Sequence, residues 1–349
     1  MADGRHCTQI LLNDWWRPVA RAAMRELGEH PPARRAPSVK FTVDVIVPVY
    51  GNWNLTRVCL DSLVRQTIPH RVIVVDDASP DDTLTRLAAD YPAVEVIALE
   101  VNSGFAAACN HGLRASTADI VVLVNNDVEA QPTLLERLIE PFADPAVGSA
   151  SPLVLRPDGR IDALGITADV TMAGFLRLHG APDNAVDGPT QRLAGPYGAV
   201  AAYRSTALAE VGLLDEGIVM YGEELDLALR LSAAGWRPAA APAARAVHLG
   251  GATSGRGSTT QRLRAGYGRG YLLRAYRVLR RRHAVRAIVT EFIVCLGDLA
   301  LSHDLASARG RLAGWRAGAR ATPRTAAVPD VDASIGLLAS LRLRVRARS

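Results

Sequence analysis

The stretch that most constrains the fold is Ile120–Asp127, which reads IVVLVNND. Five apolar, mostly β-branched residues run directly into two asparagines and an aspartate. A short apolar run bounded by polar residues reads as a strand of a parallel sheet, buried on both faces. Open α/β sheets bind ligands just beyond the carboxyl ends of their strands, and Asn125, Asn126 and Asp127 fall there. In extended backbone Asn125 and Asp127 leave the same face, placed to share one cation. A polar strand end capping the next helix explains the same residues, and both readings stand at this level.

The preceding chain repeats the pattern. Val43–Pro48, Arg71–Asp77 and Val94–Ala98 read as strands, and Asn54–Gln66, Gly104–Ala115 and Thr133–Phe142 have helical spacing. Ser79 is the expected cap of a further helix with Pro80 at its first position. Strands alternating with helices predict βαβ units and a mostly parallel sheet. A Rossmann dehydrogenase with Asp76 on a ribose hydroxyl is the obvious alternative. The loop Pro48-Val49-Tyr50-Gly51-Asn52 lacks the GxGxxG that close pyrophosphate approach needs, and no Walker glycine-lysine loop occurs. Any nucleotide is therefore held by other chemistry.

Residues 156–196 are rich in Gly, Pro and Asp and read as a variable loop region. Gly195–Tyr203 follows as a small-residue strand and Thr206–Val211 as a short helix. Tyr221–Trp236 is a helix ended by Gly235, with Glu223, Glu224 and Asp226 crowded into its first turn. Acids there complement the helix dipole, but three exceed what a cap needs and favour a functional reading. Val247–Gly251 (VHLGG) sets His248 after a short apolar segment, and its meaning depends on what it meets in the fold.

Three regions are expected: a leader and linker over residues 1–40, with a helix at Ile10–Leu27 and a linker at His30–Pro37; an α/β domain over 41–255; and a basic, mostly helical extension over 256–349. From Arg256 onward there are 19 arginines against five acids, a net of +14, so residues 1–255 carry −9 within an overall +5. A basic tail on an acidic body points to a polyanion or an anionic membrane surface. Within it, Gln261–Arg282 interleaves arginines with Leu263, Tyr267, Tyr271, Leu272 and Tyr276. A helix packed back on the body and a peripheral membrane contact both fit, whereas nucleic acid has no recognised motif here. No signal-peptide core appears, and Val285–Leu301 is interrupted by Arg286, Glu291 and Asp298, so a membrane span is not expected. The four cysteines are scattered; Cys59 and Cys109 read as core thiols, and a reducing cytoplasm fits.

Five segments in order, VDVIVPVY, VIVVDDAS, NSGFAAACNHG, VVLVNND and GEELDLALRLSAAGW with its following VHLGG, resemble the inverting family-two glycosyltransferases of GT-A fold, in particular their rhamnosyltransferase-like branch. The resemblance runs from about Val43 to Gly251. It implies an α/β, GT-A-like fold that moves a sugar from a nucleoside diphosphate-sugar donor to an acceptor hydroxyl, saccharide or lipid-linked, in cell-surface polysaccharide or glycolipid synthesis at the inner face of the membrane. By the same resemblance Pro48, Tyr50, Asp77, Asn102, Gly104, Asn110, Asn125 and Asn126 would line the nucleotide-sugar. Asp127 and His248 would hold Mn²⁺ or Mg²⁺, with Glu224 as the base and Glu223 beside it. Only one carboxylate, Asp127, remains in the place of the family's acidic triplet, and Glu224 stands where many relatives carry aspartate. The thin triplet keeps a second reading open, a catalytically inactive nucleotide-sugar or carbohydrate-binding module.

Overall fold

The computed structural model describes residues 41–187, 192–250, 258–324 and 331–346. The expected leader helix, the His30–Pro37 linker and Gly251 lie outside the described residues. The chain first alternates strand and helix: β1 (Val43–Val49), α1 (Trp53–Val64), β2 (Arg71–Asp76), α2 (Thr83–Asp90), β3 (Glu95–Ala98), α3 (Phe105–Ala115) and β4 (Ile120–Val124). Then come β5 (Val128–Ala130), α4 (Leu134–Ile139), β6 (Val147–Leu155), β7 (Ile161–Ala163), β8 (Ile166–Ala168) and β9 (Gly174–Leu176). β10 (Val200–Arg204), α5 (Ser205–Val211), α6 (Glu223–Ala233) and β11 (Arg237–His248) complete the sheet region. The helices α7 (Thr259–Ala275), α8 (Ala284–Ser302), α9 (Ala306–Ala317) and α10 (Leu337–Arg346) follow.

Among the described residues the main sheet runs β3-β2-β1-β4-β10-β6-β11-β5, with β7 on the edge of β6. β1 is parallel to both β2 and β4, and β2 to β3. β10 is inserted antiparallel between β4 and β6, while β11 runs parallel to β6 and antiparallel to β5. Every residue of β1 is buried because its alternate side chains feed two cores. Val45 and Val47 pack with Leu60 and Leu63 of α1, and Ile46 with Cys109 and Leu113 of α3. Cys59 and Cys109 are indeed core thiols.

Two local expectations are corrected. α2 begins at Thr83, not after Ser79, because Asp81 takes over the turn: its carboxylate accepts from the Thr83 and Asn52 amides. Ser79 Oγ accepts instead from the Gly51 amide at 2.7 Å. Residues 156–196 are also not simply loop, since β7 and β8 are buried throughout. Strands of three residues are too short to display a period, and the acids in and just after them, Asp162 and Asp169, are buried and satisfied by the fold. Asp169, for example, accepts from the Thr171 amide and hydroxyl and pairs with Arg286.

α7 packs back on the body. Tyr271, Leu272 and Tyr276 share a core with Leu225 and Leu229 of α6. Backbone meets backbone where α7 crosses α9, for a Cβ on Gly270 or Gly314 would run into the carbonyl oxygen of Arg311 or Tyr267. No helix among the described residues is long and apolar enough to cross a membrane.

Candidate active site

The strand β4 delivers its polar end as a turn rather than as extended chain. The Val128 amide donates to the Asn125 carbonyl at 3.2 Å, so Asn125 and Asp127 do not project together as the two-residue alternation predicts. Asn126 is turned inward: its amide donates to Thr56 Oγ1 at 3.0 Å and to the Gly51 carbonyl at 3.4 Å. It ties the β4 end to the loop after β1, where Gly51 and Asn52 both have left-handed φ, +66° and +59°. Pro48 is buried within β1, and Tyr50 beside that loop is exposed.

Asp127 is buried and meets His248. The antiparallel register of β11 on β5 sets His248 opposite Val128, which brings its Nε2 to 3.3 Å from Asp127 Oδ1. On the other side Nδ1 lies 2.8 Å from Asp162 Oδ2, and the Tyr197 ring stands edge-on at 5.9 Å. Asp162 also contacts His179 Nδ1 at 3.4 Å. Burial alone would disfavour the imidazolium, but hydrogen bonds to Asp127 and Asp162 outweigh it and push the His248 pKa up to about 10. A cation on Nε2 must therefore displace a proton. Asp162 is the site residue that the sequence reading missed. Its IDA strand is too short to stand out, and only the fold brings it to His248.

Asp77 is buried and committed to the next loop. Its carboxylate accepts from Ser103 N (2.7 Å), Ser103 Oγ (2.8 Å) and Gly104 N (2.9 Å), and its carbonyl accepts from Asn102 Nδ2 at 3.3 Å. Gly104, at φ +88°, makes the turn into α3. Asp77, Asn102 and Gly104 thus form one unit. Asn110 is committed elsewhere: its side chain bonds both backbone groups of Leu214 and the Glu216 carboxylate, anchoring the turn before α6. It borders a separate cleft of about 590 Å³ that Arg114, Arg230 and Arg324 also line; these arginines already pair with Glu216, Asp226 and Asp215.

The acids at the start of α6 divide by environment. Asp226 is fully buried and holds Arg230, Arg324 and the Tyr276 hydroxyl, a structural role. Glu223 is buried, and its Oε2 finds no hydrogen-bond partner among the described residues. Glu224 is half-buried and accepts from the Gly222 amide at 3.3 Å. Burial, reinforced by Glu224, raises the Glu223 pKa well above the usual carboxylate range, and burial also raises that of Glu224. Tyr221 and Gly222, with φ of +69° and +123°, set this helix start. Gly268 of α7 presses on the Tyr221 carbonyl, where no larger residue fits. No hydrogen bond or ion pair among the described residues joins this carboxylate pair to Asp127 and His248.

Whether the residues suit a divalent cation is a matter of their donor set. Among the described residues no cluster of three or more His, Cys, Asp or Glu side chains could hold one. Asp127 and His248 offer one carboxylate and one imidazole, a partial set that oxygen donors from a diphosphate would complete.

A parallel strand-helix half followed by an inserted antiparallel strand, with polar residues at the β4 end, defines a GT-A-type α/β fold. Two solved structures share it: GalNAc-T7, crystallised with UDP, GalNAc and Mn²⁺ (TM-score 0.53, 17% identity, 68% of this chain and 51% of that one), and residues 1–349 of S. aureus TarS (TM-score 0.52, 17% identity, 81% of each). Residues 44–171 match the family model described as Glycosyl transferase family 2. The pre-mycofactocin glycosyltransferase of Mycobacterium tuberculosis is 32% identical over 238 residues, 66% of this chain and 47% of the relative. The N-acetylglucosaminyl-diphospho-decaprenol L-rhamnosyltransferase of the same organism is 27% identical over 213 residues, 54% and 69%. The O-antigen biosynthesis protein RfbC of Myxococcus xanthus is 27% identical over 259 residues, 66% and 20%. The chain spans about half or less of the length of the first and last of these relatives.

Proposed function

We propose that the protein transfers a sugar from a nucleoside diphosphate-sugar to an acceptor hydroxyl, inverting the anomeric carbon, in cell-surface polysaccharide or glycolipid synthesis on the cytoplasmic side of the membrane. The observation that carries this reading is the meeting of Asp127, which lies in the matched residues 44–171, with His248 at the end of β4. The relatives named for transfer to a decaprenol-linked sugar and for O-antigen synthesis support a lipid-linked or saccharide acceptor.

The chain divides the work as follows. Tyr50, Asn125 and the Asp77–Asn102–Gly104 unit line the donor, with Pro48 and Asn126 fixing the loops that do so. Asp127 and His248 would hold Mn²⁺ or Mg²⁺, and the Mn²⁺ in the GalNAc-T7 structure supports the first. When bound, such an ion neutralises the departing diphosphate. Asp162 orients His248 through Nδ1, so that Nε2 faces Asp127. Burial raises both carboxyls of the pair, which suits a group that takes a proton near neutral pH, and Glu224 acts as the base with Glu223 beside it. The acceptor oxygen bonds to the anomeric carbon as the carbon–oxygen bond to the diphosphate breaks. The hydroxyl proton passes to Glu224, and the bonding pair leaves with the diphosphate. The domain limits suit this scheme, with residues 41–255 carrying the chemistry and α7 of the extension packing against α6.

A screen of nucleotide-sugars for divalent-dependent release of nucleoside diphosphate tests the proposal. Release with one donor, lost in Asp127→Ala, is the expected result. Donor binding without release by the wild type would make the protein a binding module instead.

A further inference from the structure

Helix α8 is built inside out. Its inward face carries Thr290, Glu291 and Asp298, all buried, beside Ala287. Its outward face carries Val285, Ile288, Phe292, Leu296 and Leu299, of which Val285 is 75% and Phe292 62% exposed. Their spacing of three and four residues makes one continuous stripe, about 21 Å long at the helical rise. A helix lying on a water-soluble body has the opposite arrangement. An exposed apolar surface this continuous marks a contact with something other than water. α9 and α10 add Leu312 and Leu338 to the exposed apolar residues of this bundle.

The charges of the bundle are sorted in the same sense. Of the acids described after residue 258, Glu291, Asp298 and Asp332 are buried, and Asp304 pairs with Arg262. Arg280, Arg282, Arg309, Arg316 and Arg342 are exposed, and none forms an ion pair among the described residues. What this part of the molecule offers outward is apolar side chains and cations.

We propose that α8 lies flat on a bilayer containing anionic lipid, its stripe sunk among the acyl chains and the arginines around it meeting headgroup phosphates. The charge pattern selects this occupant over a second copy of the chain. Self-association across the stripe would set the same unpaired arginines against each other, with no exposed acid among the bundle's described residues to offset them. With Arg286, Glu291 and Asp298 within its 19 residues, α8 lies on a membrane and does not span it. The inference stands apart from the transfer reaction proposed above, so either can fail alone.

The test is sedimentation of the full chain with vesicles of phosphatidylglycerol and phosphatidylcholine, against phosphatidylcholine alone, at low and high salt. Binding should need the anionic lipid and weaken with salt. The double variant I288S/F292S alters only exposed side chains, so its thermal unfolding should match the wild type while its vesicle partitioning falls roughly tenfold or more. The variant R280E/R282E should weaken binding through charge alone. Failure of the wild type to sediment with anionic vesicles, or unchanged binding by both variants, would overturn the proposal. So would a dimer in light scattering that I288S/F292S turns into a monomer, since the stripe would then belong to a second copy.

Discussion

One buried carboxylate fastens the four C-terminal helices together, and its loss should be felt throughout them. Glu291 of α8 accepts from Arg269 of α7 at 2.7 Å, Arg311 of α9 at 2.7 Å and Arg344 of α10 at 3.1 Å. Burial would raise its pKa, but the three guanidiniums prevail and hold it well below the usual glutamate range. Glu291→Gln keeps the shape and removes the charge, leaving three largely buried cations without the acid each of them pairs with among the described residues. Breaking a buried pair in this way costs about 3–5 kcal/mol, which at ordinary urea sensitivities moves the unfolding midpoint by roughly 1–2 M. Urea titration followed by circular dichroism reads it. The pH dependence supplies the sign. Because the folded pKa lies below the ordinary value of 4.5, the carboxylate contributes fully above that pH and progressively less below it. The gap between wild type and variant should therefore narrow by roughly 2 kcal/mol between pH 7 and pH 3. A difference under about 1 kcal/mol at neutral pH, or a gap that does not change with acid, would refute the reasoning.

Other outcomes follow from the same contacts. Asp162→Asn removes the buried carboxylate that accepts from His248 Nδ1, so stability falls with it, and Mn²⁺ affinity measured by calorimetry on the folded variant should fall roughly 10- to 100-fold; unchanged affinity would free His248 from this partner. Gly314→Ala drives a methyl group against the Tyr267 carbonyl and should destabilise by roughly 1–3 kcal/mol in urea, whereas a neutral result would mean that α7 and α9 separate freely. His248→Ala should reduce Mn²⁺-supported turnover more than Mg²⁺-supported turnover, and equal losses would take the imidazole out of the ion's coordination.

The sequence disclosed the fold where elements are long and apolar. β1, β2 and β4 announce themselves as buried runs, and α6 by its leucines. It disclosed less where three-residue strands leave no period, so β7 and β8 were hidden in a Gly- and Pro-rich stretch together with Asp162. Side-chain commitments were also out of reach. That Asn110 anchors Leu214, that Asp77 is consumed by Ser103 and Gly104, and that Asn125–Asp127 turns instead of extending are all set by partners distant in sequence. The arginine-aromatic segment after Gln261 did become a packed helix, as one of its two readings expected. The inverted face of α8 was legible only in part: Arg286, Glu291 and Asp298 argued against a span without revealing that the acids point inward.

The central claim is that Glu224 takes the acceptor proton while Glu223 supports it. Neighbouring residues at a helix start point about 100° apart, so one carboxylate alone can face the reacting carbon. The direct measurement sets turnover against donor affinity for Glu224→Gln and Glu223→Gln, with nucleoside diphosphate release and calorimetry on the same preparations. Glu224→Gln should bind donor as the wild type does and turn over roughly 10²–10⁴ more slowly, with Glu223→Gln affected less. A larger loss in Glu223→Gln, or full turnover in both, would contradict the assignment.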